Sequence, residues 1–545
     1  MAKPAKKRSA PSVQPVAVPV AKPEASWVRY YPYAVTGLFF ILSFIGILRH
    51  EMWRDEYQAW MVAADADSIP QLFQNLKYEG NPVLWHAFLF IISSITEDPF
   101  WMQVFHIIIS TSFIFLINRY APFSILQKFL LTFGYYTFYE YNIISRGYGL
   151  GFLLIVIFCI LFEQRKKYIL WISAVLFLLA NTTIFGVMLA VCFAGILFLE
   201  RLFFIDRKSK TPPVTYGKLF LSLGIVAAGV ILGYMQIRPE PDNSFPTFYV
   251  TDVDIIRAKW AFSRLIHAYF PIPDFTTFHF WNKNLFVPDE SRFLIGITPL
   301  LFLLWIIAFL RFRLILILYS LGTLLLIAFY YYTGFIWARY AGHLFLLLVA
   351  CHWLAHFYKE QPFQQSIMNR LSLAGNKIRV PYFLIILFIS LIGGVWSYAK
   401  DLEHPFSTSE KAAAFIKEKG LQHLDIIGSR DYIISPLATQ LGRKIIYAER
   451  REPGSFIIYD QKRTNIWAFK EVQATIEDMN RQGLKQILLV KDLPLKMTFN
   501  DTGETVPWIN DLLTERLNMQ LLATIEPGIV HDEVYYIYLI QEITQ

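Results

Sequence analysis

The stretch at residues 32–48, PYAVTGLFFILSFIGIL, decides the fold class, and the stretch after it, MWRDEYQAW at 52–60, raises the question of function. The first stretch predicts a helix over about 31–49 that crosses a membrane, because a crossing needs roughly 20 apolar residues. The second presents an acidic pair, Asp55 and Glu56, among aromatic side chains where the chain leaves the bilayer. A carboxylate pair at that boundary is a candidate for chemistry at the membrane surface.

The composition indicates that the membrane character extends through most of the chain. Hydrophobic residues make up 55% of the 545 residues and the mean hydropathy is +0.40, too apolar for a soluble protein of this size. The net charge of +8 is concentrated in the N-terminal tail and in short loops, which favours a role in orientation rather than nucleic-acid binding. Cys159, Cys192 and Cys351 lie in apolar runs, with neither disulfide nor zinc spacing.

The positive charges orient the chain. Residues 1–29 lack the apolar core of a signal peptide and are predicted to be a disordered cytoplasmic tail, so the first helix exits and Asp55 lies outside.

Segment 81–95 is short and is predicted to be an amphipathic or half-inserted helix on the outer face, because a full crossing would place the basic loops 165–167 and 207–210 outside. With segment 81–95 left out of the count, the sequence predicts eleven crossings in all: 31–49, 99–118, 122–139, 148–163, 168–180, 184–203, 216–236, 292–310, 314–333, 344–358 and 381–398.

The sequence divides into three parts: the tail 1–29, a transmembrane part 30–398 that contains a long outer loop at 237–290, and a domain over 399–545. In the last part, helix patterns such as KAAAFIKEKG alternate with strand patterns such as LDIIGSRD and KQILLVKD, which predicts an α/β domain with a largely parallel sheet. By parity this domain lies outside the cytoplasm. It lacks GxGxxG and P-loop motifs, so the sequence assigns it no nucleotide and favours a structural or acceptor-docking module.

The outward loops collect polar side chains near helix ends on one face of the membrane. They are Asp55, Glu56, Glu79, Asn81, Glu140, Arg146, Asn181, Thr182, Arg339 and His343, and His86 lies near the start of the half-inserted segment. An enzyme on this face has no nucleotide donor available, so its group donor arrives on a lipid phosphate. Such an enzyme needs a base for an acceptor hydroxyl and cations for the departing phosphate.

Asp55 or Glu56 suits the base, and Arg146 and Arg339 suit the phosphate clamp, because guanidinium binds phosphate in a forked geometry. The aromatic residues at 53, 57, 60, 85 and 337 suit sugar stacking or interfacial anchoring. The alternatives stay open: solvated loop acids, arginines that reach lipid headgroups, packing roles for His86 and His343, and a simple capped turn at NTT, 181–183.

Three stretches, WRDEYQAW, EGNPVLWHAFL and ISRGYGLGFLL, resemble the GT-C class of integral-membrane glycosyltransferases, in its protein mannosyltransferase-like branch of lipid-linked-sugar transferases. In that class an acid of the first outer loop is the catalytic base or binds a metal, and Asp55 matches it, with Glu56 beside it. Glu140, Arg146 and Tyr148 match the acid, arginine and tyrosine of the next conserved outer loop. The resemblance covers roughly 30–205. Asn81 departs from the His-Pro or Lys-Pro of many relatives.

The resemblance implies an inverting transfer of one sugar, a hexosyl or pentosyl group, from a polyprenyl-phosphate donor to an extracytoplasmic glycan, lipid or protein acceptor in cell-envelope assembly. The substrate-binding residues would be Glu79, Asn81, His86, Glu140, Arg146, Tyr148, Asn181, Arg339 and His343. The metal content stays open, because some members of the class bind a divalent cation such as Mg²⁺ or Mn²⁺ and others do without.

The expected setting is the inner membrane of a bacterium, with membrane lipids around the chain and no nucleic acid bound. Two rival functions remain: a transporter or flippase of a lipid-linked intermediate, and a non-catalytic scaffold of envelope assembly. Transporters often show internal repeats or broken midplane helices, and the sequence shows neither.

Overall fold

The computed structural model describes residues 26–203, 214–245, 252–287, 292–334, 337–464, 469–481, 483, 486–494, 498–499, 505–506 and 517–542. Within these residues the chain is a polytopic α-helical membrane protein with a C-terminal sheet domain, as the sequence predicts. Residues 1–25 of the predicted tail and the basic residues 207–210 lie outside the described residues, whereas residues 26–29, predicted as the end of the disordered tail, form the start of the first helix.

The membrane part contains α1 (Ser26–Ile47), α2 (Arg54–Ala64), α3 (Ile69–Asn75), α4 (Leu84–Ser93), α5 (Phe100–Tyr120), α6 (Ile125–Thr132), α7 (Tyr148–Phe162), α8 (Arg165–Leu179), α9 (Ile184–Phe203), α10 (Tyr216–Ile237), α11 (Ile255–Tyr269), α12 (Arg292–Phe309), α13 (Arg313–Thr333), α14 (Ala338–Leu354) and α15 (Ser366–Glu403). Among the described helices, seven are long and apolar enough to cross a membrane, and others are apolar but shorter. The predicted count of eleven crossings stays a prediction.

Helix α4 is short, as segment 81–95 predicts. Its 10 residues span only about 15 Å, half the thickness of the hydrocarbon core.

The predicted continuous helix 122–139 is wrong, because the helix breaks after Thr132. A π-helical turn, Tyr135–Glu140, follows the break. The cause is a close crossing by α15: a Cβ on Gly394 would lie 2.7 Å from the carbonyl carbon of Gly134, and the Ser390 hydroxyl accepts the Tyr135 N–H at 3.0 Å. The backbone of α15 therefore occupies space that a continuous helix would fill.

The predicted loop 237–290 is also not loop throughout, because it contains α11. This helix begins with Asp254, whose carboxylate accepts the N–H groups of Ile256 and Arg257. It packs against α12, α13 and α14. Arg257, Lys259 and Arg264 interrupt its apolar sequence, so the pattern does not read as a crossing.

The C-terminal domain contains α16 (Ser409–Glu418), α17 (Asp431–Ile434), α18 (Pro436–Leu441), α19 (Phe469–Arg481), β1 (Asp425–Ser429), β2 (Ile445–Tyr447), β3 (Glu452–Gly454), β4 (Gln486–Lys491), β5 (Thr498–Phe499), β6 (Thr505–Val506), β7 (Leu517–Ile525) and β8 (Tyr535–Glu542). Its main sheet has the order β3-β2-β1-β4-β8-β7. The prediction of a largely parallel sheet is wrong: β1 pairs in parallel with β2 and β4, but the other three pairings are antiparallel. The last strands form a hairpin that needs no crossover helix.

The two parts share one apolar core. Phe406, Ile529 and Val530 of the C-terminal part belong to the same buried cluster as the membrane helices. Helix α2 lies at this junction, where it contacts α4 on one side and α17 and α18 on the other. The helix that carries Asp55 is therefore held by both parts of the chain.

Candidate functional site

Asp55 meets two arginines from distant parts of the sequence. It lies in the first turn of α2, and its Oδ2 is 2.5 Å from Nη1 of Arg146 and 3.2 Å from Nη2 of Arg339. Arg146 precedes α7, and Arg339 lies in the first turn of α14. The Asp55 side chain is 29% exposed, so the group remains accessible from one side. The three residues that the sequence places on one face of the membrane thus form a single cluster.

The electrostatics of this cluster favour a charged carboxylate. Burial by itself raises the pKa of Asp55, but the positive charges of Arg146, Arg339 and Arg54 outweigh it, and the pKa lies below its usual value. Asp55 is therefore ionised at neutral pH and is a weak base as long as both guanidinium groups face it.

Arg339 lies in an aromatic enclosure. Its guanidinium carbon is 5.1 Å from the ring centre of Trp53, 5.8 Å from that of Trp281, 6.0 Å from that of Trp337 and 5.1 Å from that of Tyr340. Rings at such distances attract a cation through their negative faces. The enclosure holds the charge of Arg339 beside Asp55 without neutralising it.

Glu56 points away from Asp55 and holds the site together. It is fully buried; its Oε2 lies 3.2 Å from Nε2 of His50, and its Oε1 accepts the Ser145 N–H at 2.6 Å. The other ring nitrogen of His50 lies 2.8 Å from Asp401. Burial alone would lower the pKa of His50. The negative charges of Asp401 and Glu56 outweigh this effect and raise the pKa to about 10. Glu56 thus fixes the backbone next to Arg146 and has no free face toward a substrate.

Glu79 lies close to the cluster, in the loop before α4. Its Oε1 is 2.5 Å from Nε2 of Gln58, and Gln58 also bonds the backbone of Ile457. Burial raises the pKa of Glu79 to about 7, although Arg146 opposes the shift. Unlike Asp55, this carboxyl group is poised to exchange a proton near neutral pH.

Glu140 lies in the part of the site that Tyr135 and Trp281 form. It is 2% exposed, and its Oε2 accepts the Tyr135 hydroxyl at 2.9 Å and the Trp281 indole N–H at 3.2 Å. Trp281 also contacts Arg339, so the loop at 270–287 closes this side. Trp281 belongs to no recognisable motif, and only its position in the outer loop could have singled it out.

The rings of Tyr148 and His343 pack against each other, and Arg146 lies against the Tyr148 ring. The guanidinium of Arg146 lies 5.8 Å from the Tyr148 ring centre, and the His343 ring lies 5.5 Å from that of Tyr148. His343 stacks on Phe185 at 4.3 Å and bonds the carbonyl of Tyr340. These contacts give His343 a packing role.

Four predicted residues, at positions 81, 86, 181 and 182, are not brought into contact with Asp55. Asn181 bonds the carbonyls of Phe177 and Gly229, and so ties the α8–α9 turn to α10. His86 is 3% exposed, and Asn81 is half-buried in the loop before α4. Thr182 at the same hairpin is buried and bonds its own helix end.

The interpretation of the aromatic residues at 53, 57, 60, 85 and 337 as sugar-stacking or interfacial residues is wrong for four of them. Trp53, Tyr57, Trp60 and Trp85 are at most 3% exposed, because α2 and α4 pack against each other and under the C-terminal domain. Only Trp337, at 47%, fits the expectation.

The cluster does not fit a divalent cation. Asp55 already faces two guanidinium groups, and a third positive charge would be repelled there. Among the residues that the structure describes, no group of three or more His, Cys, Asp or Glu side chains could hold a metal ion.

The chain is similar in structure to ArnT from Cupriavidus metallidurans. The crystal structure bound to undecaprenyl phosphate matches with a TM-score of 0.50 and the apo crystal structure with 0.52, each at 10% sequence identity over 94% of this chain and 98% of the other. No family profile and no curated protein sequence matches the chain. At this identity the similarity shows the fold.

Proposed function

The chain has the fold of the GT-C class of membrane glycosyltransferases, and we propose that it moves one hexosyl or pentosyl group from a polyprenyl-phosphate donor to an extracytoplasmic acceptor, with inversion. The observation that carries the proposal is the meeting of Asp55 with Arg146 and Arg339. Together they offer an acid–base group beside two permanent cations. The ArnT structure with undecaprenyl phosphate supports a lipid-phosphate donor.

In the proposed mechanism the donor phosphate displaces Asp55 from the two guanidinium groups. Both arginines are rigidly held, Arg339 by its aromatic enclosure and Arg146 by the adjacent backbone bond to Glu56. The donor is a phosphodiester whose single negative charge is shared by two non-bridging oxygens, and each of these oxygens can accept hydrogen bonds from one guanidinium group. Once the guanidinium charges face phosphate, the pKa of Asp55 rises and the carboxylate becomes a stronger base.

Asp55 then takes the proton of the acceptor hydroxyl as its oxygen attacks the anomeric carbon. The glycosidic bond to phosphate breaks, and the electron pair leaves on the carrier phosphate, whose charge Arg146 and Arg339 stabilise. A single displacement of this kind needs one base and no covalent enzyme intermediate, so it inverts the anomeric centre. Glu79, with its pKa of about 7, is positioned to receive the proton next.

The proposed setting is the inner membrane of a bacterium, with the C-terminal domain outside the cytoplasm. The basic tail and the basic loops support this orientation through the positive-inside rule. The site then opens to the compartment in which polyprenyl-phosphate sugars are used.

The test is incubation of the purified chain with a panel of polyprenyl-phosphate sugars and measurement of released carrier phosphate. Asp55→Asn should abolish release, because the amide cannot take a proton. Asp67→Asn, which changes an exposed acid of the same outer region, is the matched control and should keep full activity. A transporter or a scaffold would release no carrier phosphate. A wild-type chain that releases none from any donor, or an Asp55→Asn variant that still releases it, would therefore refute the proposal.

A further inference from the structure

The 455–463 loop of the C-terminal domain follows β3 and runs along α2. The Ser455 hydroxyl bonds the carboxylate of Asp65. Two residues later, the Ile457 N–H donates to Oε1 of Gln58 at 2.9 Å, and Nε2 of Gln58 donates back to the Ile457 carbonyl at 3.0 Å. The loop therefore runs antiparallel to α2, from its end toward its start.

This direction brings Tyr459 to the level of the candidate site. Gln58 and Asp65 lie seven residues apart on one face of α2, about 10 Å along its axis. Continuing past Ile457 by two extended residues adds about 7 Å, which reaches the first turn of α2, where Asp55 lies. Burial raises the pKa of the Tyr459 phenol, and the charges of Asp431, Glu79 and Asp55 add to the shift, so the phenol lies within electrostatic range of both site carboxylates.

Tyr459 is held rigidly in place. The guanidinium of Arg463 lies 4.9 Å from its ring centre, and Arg463 is locked by a two-pronged bond to Asp431 at 2.7 and 2.8 Å, with both side chains almost fully buried. The Ser244 N–H donates to the Tyr459 carbonyl at 2.8 Å. The Phe245 ring meets the Tyr459 ring edge-on at 5.0 Å. A half-buried tyrosine fixed in this way is preorganised for a ligand.

We propose that Tyr459 binds the sugar ring of the acceptor glycan, and that the C-terminal domain thereby completes the active site. The assignment rests on the proposed function. The donor phosphate belongs with Arg146 and Arg339, which come from the membrane part, whereas the 455–463 loop belongs to the C-terminal domain and approaches the first turn of α2 along that helix. A tyrosine offers both an apolar ring face and a hydroxyl, which suits a polyhydroxylated ring.

The test compares Tyr459→Leu, which fills the space but removes the ring, with Tyr459→Phe, which keeps it. Tyr536→Leu, a half-buried tyrosine of the same domain on β8, is the matched control. A chloroform–methanol extract of the cell envelope serves as acceptor at saturating donor, and undecaprenyl phosphate serves as the donor-side binding probe. Tyr459→Leu should raise the acceptor KM at least tenfold and leave the Kd for undecaprenyl phosphate within twofold. Tyr459→Phe should stay within threefold of wild type.

An unchanged acceptor KM in Tyr459→Leu, or an equal loss of undecaprenyl phosphate binding, would overturn the assignment. If the leucine variant does not fold, Tyr459→Cys decides, because acceptor extract should slow its labelling by a maleimide and undecaprenyl phosphate alone should not. Equal labelling with and without extract would again refute the role of Tyr459. A wild-type chain that transfers no sugar from any donor would instead refute the proposed function itself.

Discussion

Replacing Glu56 tests whether the two adjacent acids have different roles, with Asp55 as the base and Glu56 as a structural residue. Glu56 accepts hydrogen bonds with both oxygens and neutralises a buried His50, so Glu56→Ala leaves that imidazolium with one carboxylate partner fewer and leaves the Ser145 N–H unpaired. Removing one partner of a buried ion pair costs about 3–5 kcal/mol, and an orphaned buried N–H costs about 1–3 kcal/mol. Because the two costs are not additive, we expect Glu56→Ala to lower the free energy of unfolding by about 4 kcal/mol.

Glu56→Gln keeps the shape but has only one acceptor oxygen, so its amide group must face a donor. We expect a loss of about 2 kcal/mol, with residual sugar transfer that exceeds that of Asp55→Asn. Unfolding by sodium dodecyl sulfate in mixed micelles measures the stability, and Glu97→Gln, at an exposed acid, is the control. A stable Glu56→Ala variant, or a folded Glu56→Gln variant as inactive as Asp55→Asn, would refute the reasoning.

The buried contact of His50 with Glu56 and Asp401 predicts that the stability of the fold depends on pH. The folded-state pKa of His50 is raised to about 10 from its ordinary value near 6.5. Its stabilising contribution is therefore complete below pH 6.5 and is lost as the pH rises through about 10. In Glu56→Gln, the His50 pKa should fall, and the loss of stability should begin at lower pH.

Other outcomes follow from the same geometry. Arg146→Ala should weaken the binding of undecaprenyl phosphate at least tenfold in a direct binding assay, whereas Arg238→Ala, an exposed outer arginine, should not; equal affinities would remove Arg146 from the clamp. Glu79→Gln should remove a titration near pH 7 from the pH profile of kcat/KM, and an unchanged profile would exclude Glu79 from proton transfer. In intact cells, a cysteine at Lys419 should react with an impermeant thiol reagent and one at Lys377 should not; the reverse pattern would invert the topology.

The sequence predicts the membrane helices well, because a long run of apolar residues is itself evidence that the segment lies in an apolar environment. Helix α9 begins and ends where the pattern predicts, and α4 is as short as its composition requires. Counting crossings places Asp55, Arg146 and Arg339 on one face of the membrane, but only the structure shows that they meet. What sequence cannot show is which of two neighbouring acids faces the two arginines, because successive residues of a helix point about 100° apart.

The missed features depend on contacts between distant residues. The break after Thr132 requires the backbone of α15 at Gly394, more than 250 residues away, and no local pattern records that crossing. The mixed sheet arises because β7 and β8 pair as neighbours at one edge, and the strand pattern of β7 was too weak to read. Trp281 likewise enters the site only through the fold of its loop.

Helix α2 is fastened to the outer domain at Arg54 by Asp532, at Gln58 by Ile457 and at Asp65 by Ser455. Because three contacts along one helix join the two parts, we expect them to be inherited as a single unit. Recombination that joined this membrane part to a foreign outer domain would place a foreign loop against α2, and the chimera would lose the geometry around Asp55 before it lost its fold. Variation in substrate choice should therefore accumulate by point changes along this junction, with both halves inherited together.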